Sequence, residues 1–451
     1  MILKNKKIGV VGLARSGVAV AKYAVRRGAK VTVTDLKSKT ELGAWLKLLS
    51  DQKKIKYELG NHPLKKLLNS DLLVISPGVP FSLPLIQEAI KKQIPVMSEI
   101  EFAARYIRKP MVAITGTNGK TTTTMMIGEL LSQAGFKTFV GGNIGNPLTQ
   151  WLLDSKPYDV AVTEISSFQL ELVEKFHPKV SLILNVTPDH LDRHGSMENY
   201  WMLKGRIFQN QTSTDVLILN ADDEWAVKYA SHTKSKVLYF SRSPLSPKQE
   251  GMYIQDGNLV LRTKAFGKET YVTSSILLKG QHNLENFMAA ILVAKVFKCP
   301  KGSIQKVLDS FQPVAHRLEF VRSKGNVEFY NDSKATNIYS VRMSLESFEK
   351  PVILIMGGKK SEAPFETLRP LVQSRVKILI CLGESKEIIS RALGDYSETF
   401  VVGTLEEAIF VAYQKSRAGD VILFSPGCKS FDMFKDYEDR GNRFKEMVRE
   451  I

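Results

Sequence analysis

A short apolar strand, a turn, then an amphipathic helix: this rhythm returns throughout the 451 residues and leaves few architectures open. Strands that alternate with helices pair in parallel, because the helix is the crossover that brings the chain back to the same edge of a sheet. The expected class is α/β with mostly parallel sheets, in three segments. The first has a strand at Lys7–Val11, a helix from about Ser16 to Arg27, a strand at Lys30–Thr34 ending on Asp35, and a strand at Leu72–Ile75 that runs into Ser76-Pro77-Gly78. It closes near Ser98. The second has strands at Met111–Thr115, Val160–Glu164, Val180–Leu184 and Val216–Asn220, with helices near Lys120–Ala134 and Asn283–Phe297. Asp256-Gly257 between apolar runs predicts an antiparallel hairpin, hence a β extension of this sheet. The third begins near Pro313, with strands at Val352–Met356, Val376–Leu382 and Val421–Phe424 and a final helix. The expected domains are 1–98, 99–312 and 313–451.

Hydrophobic residues make up 43% of the chain, enough for several cores. No run approaches the roughly 18 apolar residues that span a bilayer. The basic, apolar start runs into a glycine turn rather than a cleavage site, so it does not read as a signal peptide. Cys299, Cys381 and Cys428 are scattered without metal-ligand spacing, as expected of reduced thiols in a cytoplasmic protein. The net charge of +17 (63 basic, 46 acidic residues) suits an anionic partner. The basic residues form no contiguous block and no basic–aromatic motif, which disfavours nucleic acid and favours a phosphorylated, carboxylated small substrate.

Thr115-Gly116-Thr117-Asn118-Gly119-Lys120-Thr121-Thr122 lies between a strand and a helix. Its glycines let backbone N–H groups turn inward around phosphate oxygens at the positive end of the helix. Lys120 can reach the β- and γ-phosphates, and the Thr121 hydroxyl is placed for Mg²⁺. The plain alternative is a glycine turn at a helix start. Gly9, Gly12 and Gly17, with Asp35 closing the next strand, suggest a dinucleotide turn, but Ala14 stands where the second glycine belongs. A different nucleotide, or close helix–strand packing, fits as well. Glu164 and His190 each follow a strand in the second segment, where α/β sheets bind ligands. Singly each is an ordinary structural residue; jointly, beside a phosphate loop, they suggest Mg²⁺ ligands. Nothing in spacing singles out Lys204, since a helix lysine ordinarily faces solvent. Asp332-Ser333-Lys334-Ala335-Thr336-Asn337 reads as an N-cap loop. Ser425–Asp432 follows a strand and is expected to open a helix that could cradle a carboxylate.

In this order the motifs resemble those of the Mur ligases, from end to end. The resemblance is carried by the shortened phosphate loop, Glu164, His190, and Gln281-His282-Asn283 with Asn286. Asp332–Asn337 and the ending Ser425-Pro426-Gly427…Ser430-Phe431-Asp432…Arg440-Gly441 are similar to the D-glutamate-adding branch. What the resemblance implies is three Rossmann-like domains, for UDP-sugar, ATP and amino acid in turn. Arg15, Ser16, Asp35, Ser76, Pro77 and Gly78 would hold UDP, and Asn143 and Gln169 the muramoyl-alanine part. The loop Gly116–Thr122, with Asn286, Arg317 and Asp332, would hold ATP. Lys334, Thr336, Ser430 and Phe431 would hold D-glutamate. Thr121, Glu164, His190 and a carbamylated Lys204 would hold Mg²⁺. After Gly357-Gly358 the chain departs from the family's Asp-Lys-Gly run, which leaves Lys359 and Lys360 as alternatives for one carboxylate contact. The implied enzyme is a cytoplasmic, monomeric, ATP-dependent amide ligase. A sister ligase or a folylpolyglutamate-type ligase is the nearest alternative, with a nicotinamide dehydrogenase or a plain NTPase beyond those.

Overall fold

The computed structural model describes residues 1–52, 54–276, 280–312, 315–361 and 363–451. The expected third-segment start at Pro313, and Glu362 beside the Lys359-Lys360 pair, lie outside them. The chain divides into two compact units, 1–273 with 285–308, and 274–284 with 309–451. The first unit carries two sheets and the second carries one.

The first sheet orders its strands Ile55–Leu59, Lys30–Asp35, Lys7–Val11, Leu72–Ile75, Val96–Ser98, all parallel. Ile8, Val10, Leu72 and Val74 face one apolar layer, while Val11, Leu73 and Ile75 face another. Burial on both faces explains why the central strands read as unbroken apolar runs. Sequence order reverses between Lys7–Val11 and Leu72–Ile75, which opens a crevice at their C-terminal ends. Helix Arg15–Arg26 comes close to this sheet because Gly17 has no side chain: a Cβ there would lie 2.1 Å from the Gly12 carbonyl oxygen.

The second sheet has nine strands, with Met111–Thr115 between Val160–Glu164 and Val180–Ile183. Gly251–Gln255, Asn258–Thr263 and Gly267–Tyr271 form the expected antiparallel extension. Its turn has Asp256 at φ 50 and Gly257 at φ 73, the left-handed pair a two-residue hairpin needs.

The third sheet runs Glu319–Lys324, Val327–Asn331, Val421–Gly427, Val352–Gly357, Val376–Leu382, Glu398–Val401. Its first pair is an antiparallel hairpin that sequence periodicity missed, because half of its residues are exposed or polar. A correction concerns Ser425–Asp432. The strand continues through Ser425-Pro426-Gly427, with a register shift between Ile355 and Gly357 that accommodates the proline. Ser430 and Phe431 then lie in turns, and no helix starts there. The helix waits until Tyr437, where the Asp436 carboxylate caps it by accepting from Asp439 N at 2.8 Å.

Among the described residues no helix is long and apolar enough to cross a membrane. Gly17→Ala should destabilise the first unit by about 1–3 kcal/mol in urea denaturation, because the obstructing atom is backbone and cannot rotate away.

Candidate active site

The phosphate loop leaves Met111–Thr115, an interior strand of the second sheet, and enters helix Lys120–Gln133 through Gly119, whose φ of 81 is left-handed. A Cβ on Gly119 would sit 2.4 Å from Asn286 Oδ1, so Asn286 packs directly on the turn and also accepts from Thr123 Oγ1 at 3.1 Å. Asn185, at the end of the neighbouring strand, holds the loop from the other side: its Oδ1 accepts from Thr117 N at 3.0 Å and Asn118 N at 2.8 Å. Thr117 Oγ1 donates to the Thr187 carbonyl at 3.0 Å. The loop is a fixed cradle.

Lys120 arches over it, donating to the carbonyls of Gly116 at 2.9 Å and Thr117 at 2.8 Å. Lys204 reaches the same Gly116 carbonyl at 2.9 Å. This overturns the solvent-facing reading, since Lys204 is 1% exposed. Its ammonium lies over the Tyr200 ring, 4.3 Å from the centroid. Burial, and next the like charge of Lys120, hold its amine well below the usual lysine range, against a smaller opposing pull from Asp189.

Glu164 closes the strand beside the loop and is buried. Its Oε2 accepts from Thr121 Oγ1 at 2.7 Å and its Oε1 from Asn143 Nδ2 at 2.8 Å. His190, N-capping a short helix at φ 53, stands with its ring 4.9 Å from Phe168 and Nε2 3.7 Å from Asp189 Oδ2. Thr122 is fully buried on the helix.

Asn143 also lines a cavity of about 670 Å³ at the crevice of the first sheet. Arg15, Ser16, Asp35, Ser76, Pro77, Gly78 and Gln169 share that lining. Asp35 ties two loops together, accepting from Leu13 N at 2.7 Å and Lys37 N at 2.9 Å. Ser76 Oγ donates to the Gly12 carbonyl at 2.8 Å. Gln169 spends Oε1 on capping Ser166, while its buried Nε2 has no acceptor among the described residues. Sequence reasoning missed Glu99, a buried carboxyl that accepts from Thr149 N at 2.5 Å and Oγ1 at 2.6 Å. It anchors the end of the loop that carries Asn143, and burial pushes its pKa up to about 7.

In the second unit two polar runs are joined. Asp332 N donates to Phe424 O at 2.8 Å and Gly427 N to Ala335 O at 2.9 Å. Asp332 Oδ2 accepts from Ser344 Oγ at 2.6 Å and Ser425 Oγ at 2.7 Å. Burial raises this carboxyl to about 6, with Arg317 among the opposing influences. The buried Arg440 spans both runs, donating to Ser333 Oγ at 2.9 Å, Ser333 O at 2.7 Å and Cys428 O at 3.0 Å. Lys334 and Thr336 are half-buried, Ser430 is buried and Phe431 is 63% exposed. Lys334 Nζ lies 5.2 Å from the Tyr437 ring centroid. Arg317 Nε has no acceptor among the described residues.

Residues 6–98, 114–294 and 316–428 match, in turn, the families described as Mur ligase MurD-like N-terminal domain, Mur ligase middle domain, and Mur ligase glutamate ligase domain. The chain belongs to the Mur ligase family. Among similar proteins, the UDP-N-acetylmuramoylalanine–D-glutamate ligases of Geotalea uraniireducens and Geotalea daltonii are 46% and 47% identical, covering 100% of this chain and 99% of theirs. Two solved structures share the fold. A pseudomurein peptide ligase type C from Methanothermus fervidus has a TM-score of 0.62 at 21% identity, covering 99% of this chain and 100% of that one. The UDP-N-acetylmuramate-alanine ligase of Thermotoga maritima has 0.61 at 21%, with the same coverage.

As a Mur ligase the chain is an ATP-dependent, ADP-forming amide ligase. Within this Mur ligase the loop, Glu164, Asn143 and Lys204 form one hydrogen-bonded set. Of the braces, Asn185 and Arg440 stood in runs the sequence displayed, but only the fold shows what they hold. Lys120→Ala should leave the circular-dichroism spectrum unchanged and reduce ADP release at least about a hundredfold, the scale of losing one strong electrostatic stabiliser.

Proposed function

We propose that this chain adds D-glutamate to UDP-N-acetylmuramoyl-L-alanine in peptidoglycan precursor synthesis, through an acyl phosphate. One observation carries the reading: Glu164 takes the hydroxyl of the phosphate-loop Thr121 on one oxygen and the amide of the cavity-lining Asn143 on the other. A substrate in the cavity therefore meets the nucleotide at Glu164. Relatives covering the whole chain at 44–47% identity carry the name of this reaction.

Residues 1–98 take the UDP-sugar, 99–312 take ATP and 313–451 take the amino acid. Arg15, Ser16, Asp35 and Ser76-Pro77-Gly78 receive the UDP portion, and the unpaired Gln169 amide offers a donor to the muramoyl-alanine end. A free carboxylate acylates poorly because oxide is a bad leaving group. Here a carboxylate oxygen of the alanyl group attacks the γ-phosphorus, the bond to the bridging β–γ oxygen breaks, and ADP leaves. The D-glutamate amine then attacks the acyl carbonyl, loses a proton, and expels inorganic phosphate. Lys120 offsets charge on the transferring group. Asn286 borders the nucleotide at Gly119, while Arg317 and Asp332 contribute from the third domain. Lys334, Thr336, Ser430 and Phe431 receive D-glutamate. The side chains of Lys359 and Lys360 are exposed, and either can meet a substrate carboxylate.

Mg²⁺, when bound, adds positive charge along the phosphate oxygens. Its donors are Thr121, Glu164, His190 and Lys204 as a carbamate. A carbamate on Lys204 would supply oxygen, the donor atom that Mg²⁺ takes. The pocket suits that modification: an ammonium buried beside Lys120 is unfavourable, whereas the neutral amine can add CO₂. The three buried free cysteines fit a cytoplasmic enzyme.

Because burial and the neighbouring Lys120 lower the amine pKa and so favour the neutral lysine, ¹³CO₂ should give a carbamate NMR signal that grows with rising pH and disappears in Lys204→Ala. Absence of that signal in the wild type counts against the modification. With UDP-N-acetylmuramoyl-L-alanine saturating, ADP release should require D-glutamate and reject L-glutamate and D-aspartate. A buried charged group left unpaired by the wrong amino acid costs on the order of 1–3 kcal/mol or more. Lys334→Ala and Thr336→Ala should raise KM for D-glutamate well above any change in KM for ATP. Better turnover with L-alanine, L-lysine or diaminopimelate would place the chain with a sister ligase.

A further inference from the structure

The net charge is unevenly divided. Residues 1–98 carry 18 Lys and Arg against 6 Asp and Glu, so they hold +12 of the total +17. Because all five strands of the first sheet are parallel, they start at one edge, and the returning helices end there. The ligand cavity occupies the opposite edge.

Lys4, Lys7, Arg27, Lys30, Lys54 and Lys92 all lie at the strand-start edge and are exposed. Lys7 and Lys30 are register partners. Gly28 sits against Lys4, its would-be Cβ 3.5 Å from Lys4 Cα. Lys54 precedes Ile55, the partner of Val31, and Lys92 C-caps helix Pro84–Lys91. The acidic residues of this edge are already engaged: Asp51 with Gln52, Asp71 with Lys6, and Glu88 with Lys91. Beside Lys4, Ile2 is 81% exposed. Placed opposite the cavity, these charges cannot serve to hold the substrate.

We propose that this edge docks the enzyme on an anionic lipid bilayer, with the basic side chains among phosphate headgroups and Ile2 at the acyl boundary. Clustered Lys and Arg are attracted to anionic headgroups within a Debye length, and an exposed aliphatic side chain adds apolar contact. A single-stranded nucleic acid is the other polyanion to consider. It would be expected to find aromatic stacking platforms, and residues 1–9, 26–31, 51–56 and 91–96 contain no aromatic residue.

Vesicle co-sedimentation tests the proposal, with phosphatidylcholine vesicles containing about one-third phosphatidylglycerol compared with pure phosphatidylcholine. Binding at low salt should be at least about tenfold stronger on the anionic vesicles, and lost near 0.5 M salt where the Debye length is about 4 Å. The set Lys4→Glu, Lys7→Glu, Lys30→Glu, Lys54→Glu should abolish it while ligase turnover in solution is retained. The set Lys234→Glu, Lys248→Glu, Lys264→Glu, Lys268→Glu makes the same change in net charge elsewhere and should leave binding within about twofold of wild type. If the edge reversals unfold the protein, Lys→Gln at the same four positions provides the comparison. Wild-type failure to bind anionic vesicles, equal loss in both sets, or displacement by polyuridylate at equal phosphate concentration would overturn the proposal.

Discussion

A buried carboxylate, Glu164, is the constraint on which the catalytic half of this Mur ligase turns. Taking an ionised carboxylate out of water is costly unless its oxygens are paired. Glu164 meets that demand with one donor from the phosphate-loop helix and one from the cavity-lining loop. The two donors sit on different crossovers, so the carboxylate fixes their separation. Strand order makes this possible: Val160–Glu164 lies directly beside Met111–Thr115, so the ends of both strands open on the same side.

The second constraint is positive charge gathered at a single backbone oxygen. Lys120 and Lys204 both donate to the Gly116 carbonyl, on a loop that Asn185 and Asn286 prevent from yielding. Two ammonium groups so close favour either an anion between them or loss of one charge. An anion would meet the first need, and the lowered amine pKa of Lys204 answers the second.

The third domain solves a different problem, that of holding together two polar runs where the paired strands Val327–Asn331 and Val421–Gly427 end. Arg440 does so with three donors aimed at fixed acceptors, a geometry that suits a planar guanidinium and not a single ammonium. Asp332 adds hydroxyl contacts from Ser344 and Ser425. The short break in register at Pro426 lets the strand end where these contacts converge.

Much of this was legible in the chain itself. Apolar runs such as Lys7–Val11, Leu72–Ile75 and Val376–Leu382 declared the central strands, because burial on both faces leaves only hydrophobic residues in place. Edge strands such as Ile55–Leu59 and Glu398–Val401 did not, since one exposed face admits lysine and glutamate and blurs the period. The glycine loop was legible because its φ values and its place before a helix are local properties. The helix expected at Ser430 was misplaced because strand continuation through a proline depends on the neighbouring strand's bulge. Lys204 marks the limit most clearly. Its sequence surroundings describe an ordinary helix lysine, and only the packing of that helix under the phosphate loop buries the amine beside Lys120. Local conformation is written in neighbouring residues, but desolvation and charge proximity are set by residues 84 and 88 positions away, and only the tertiary fold brings them together.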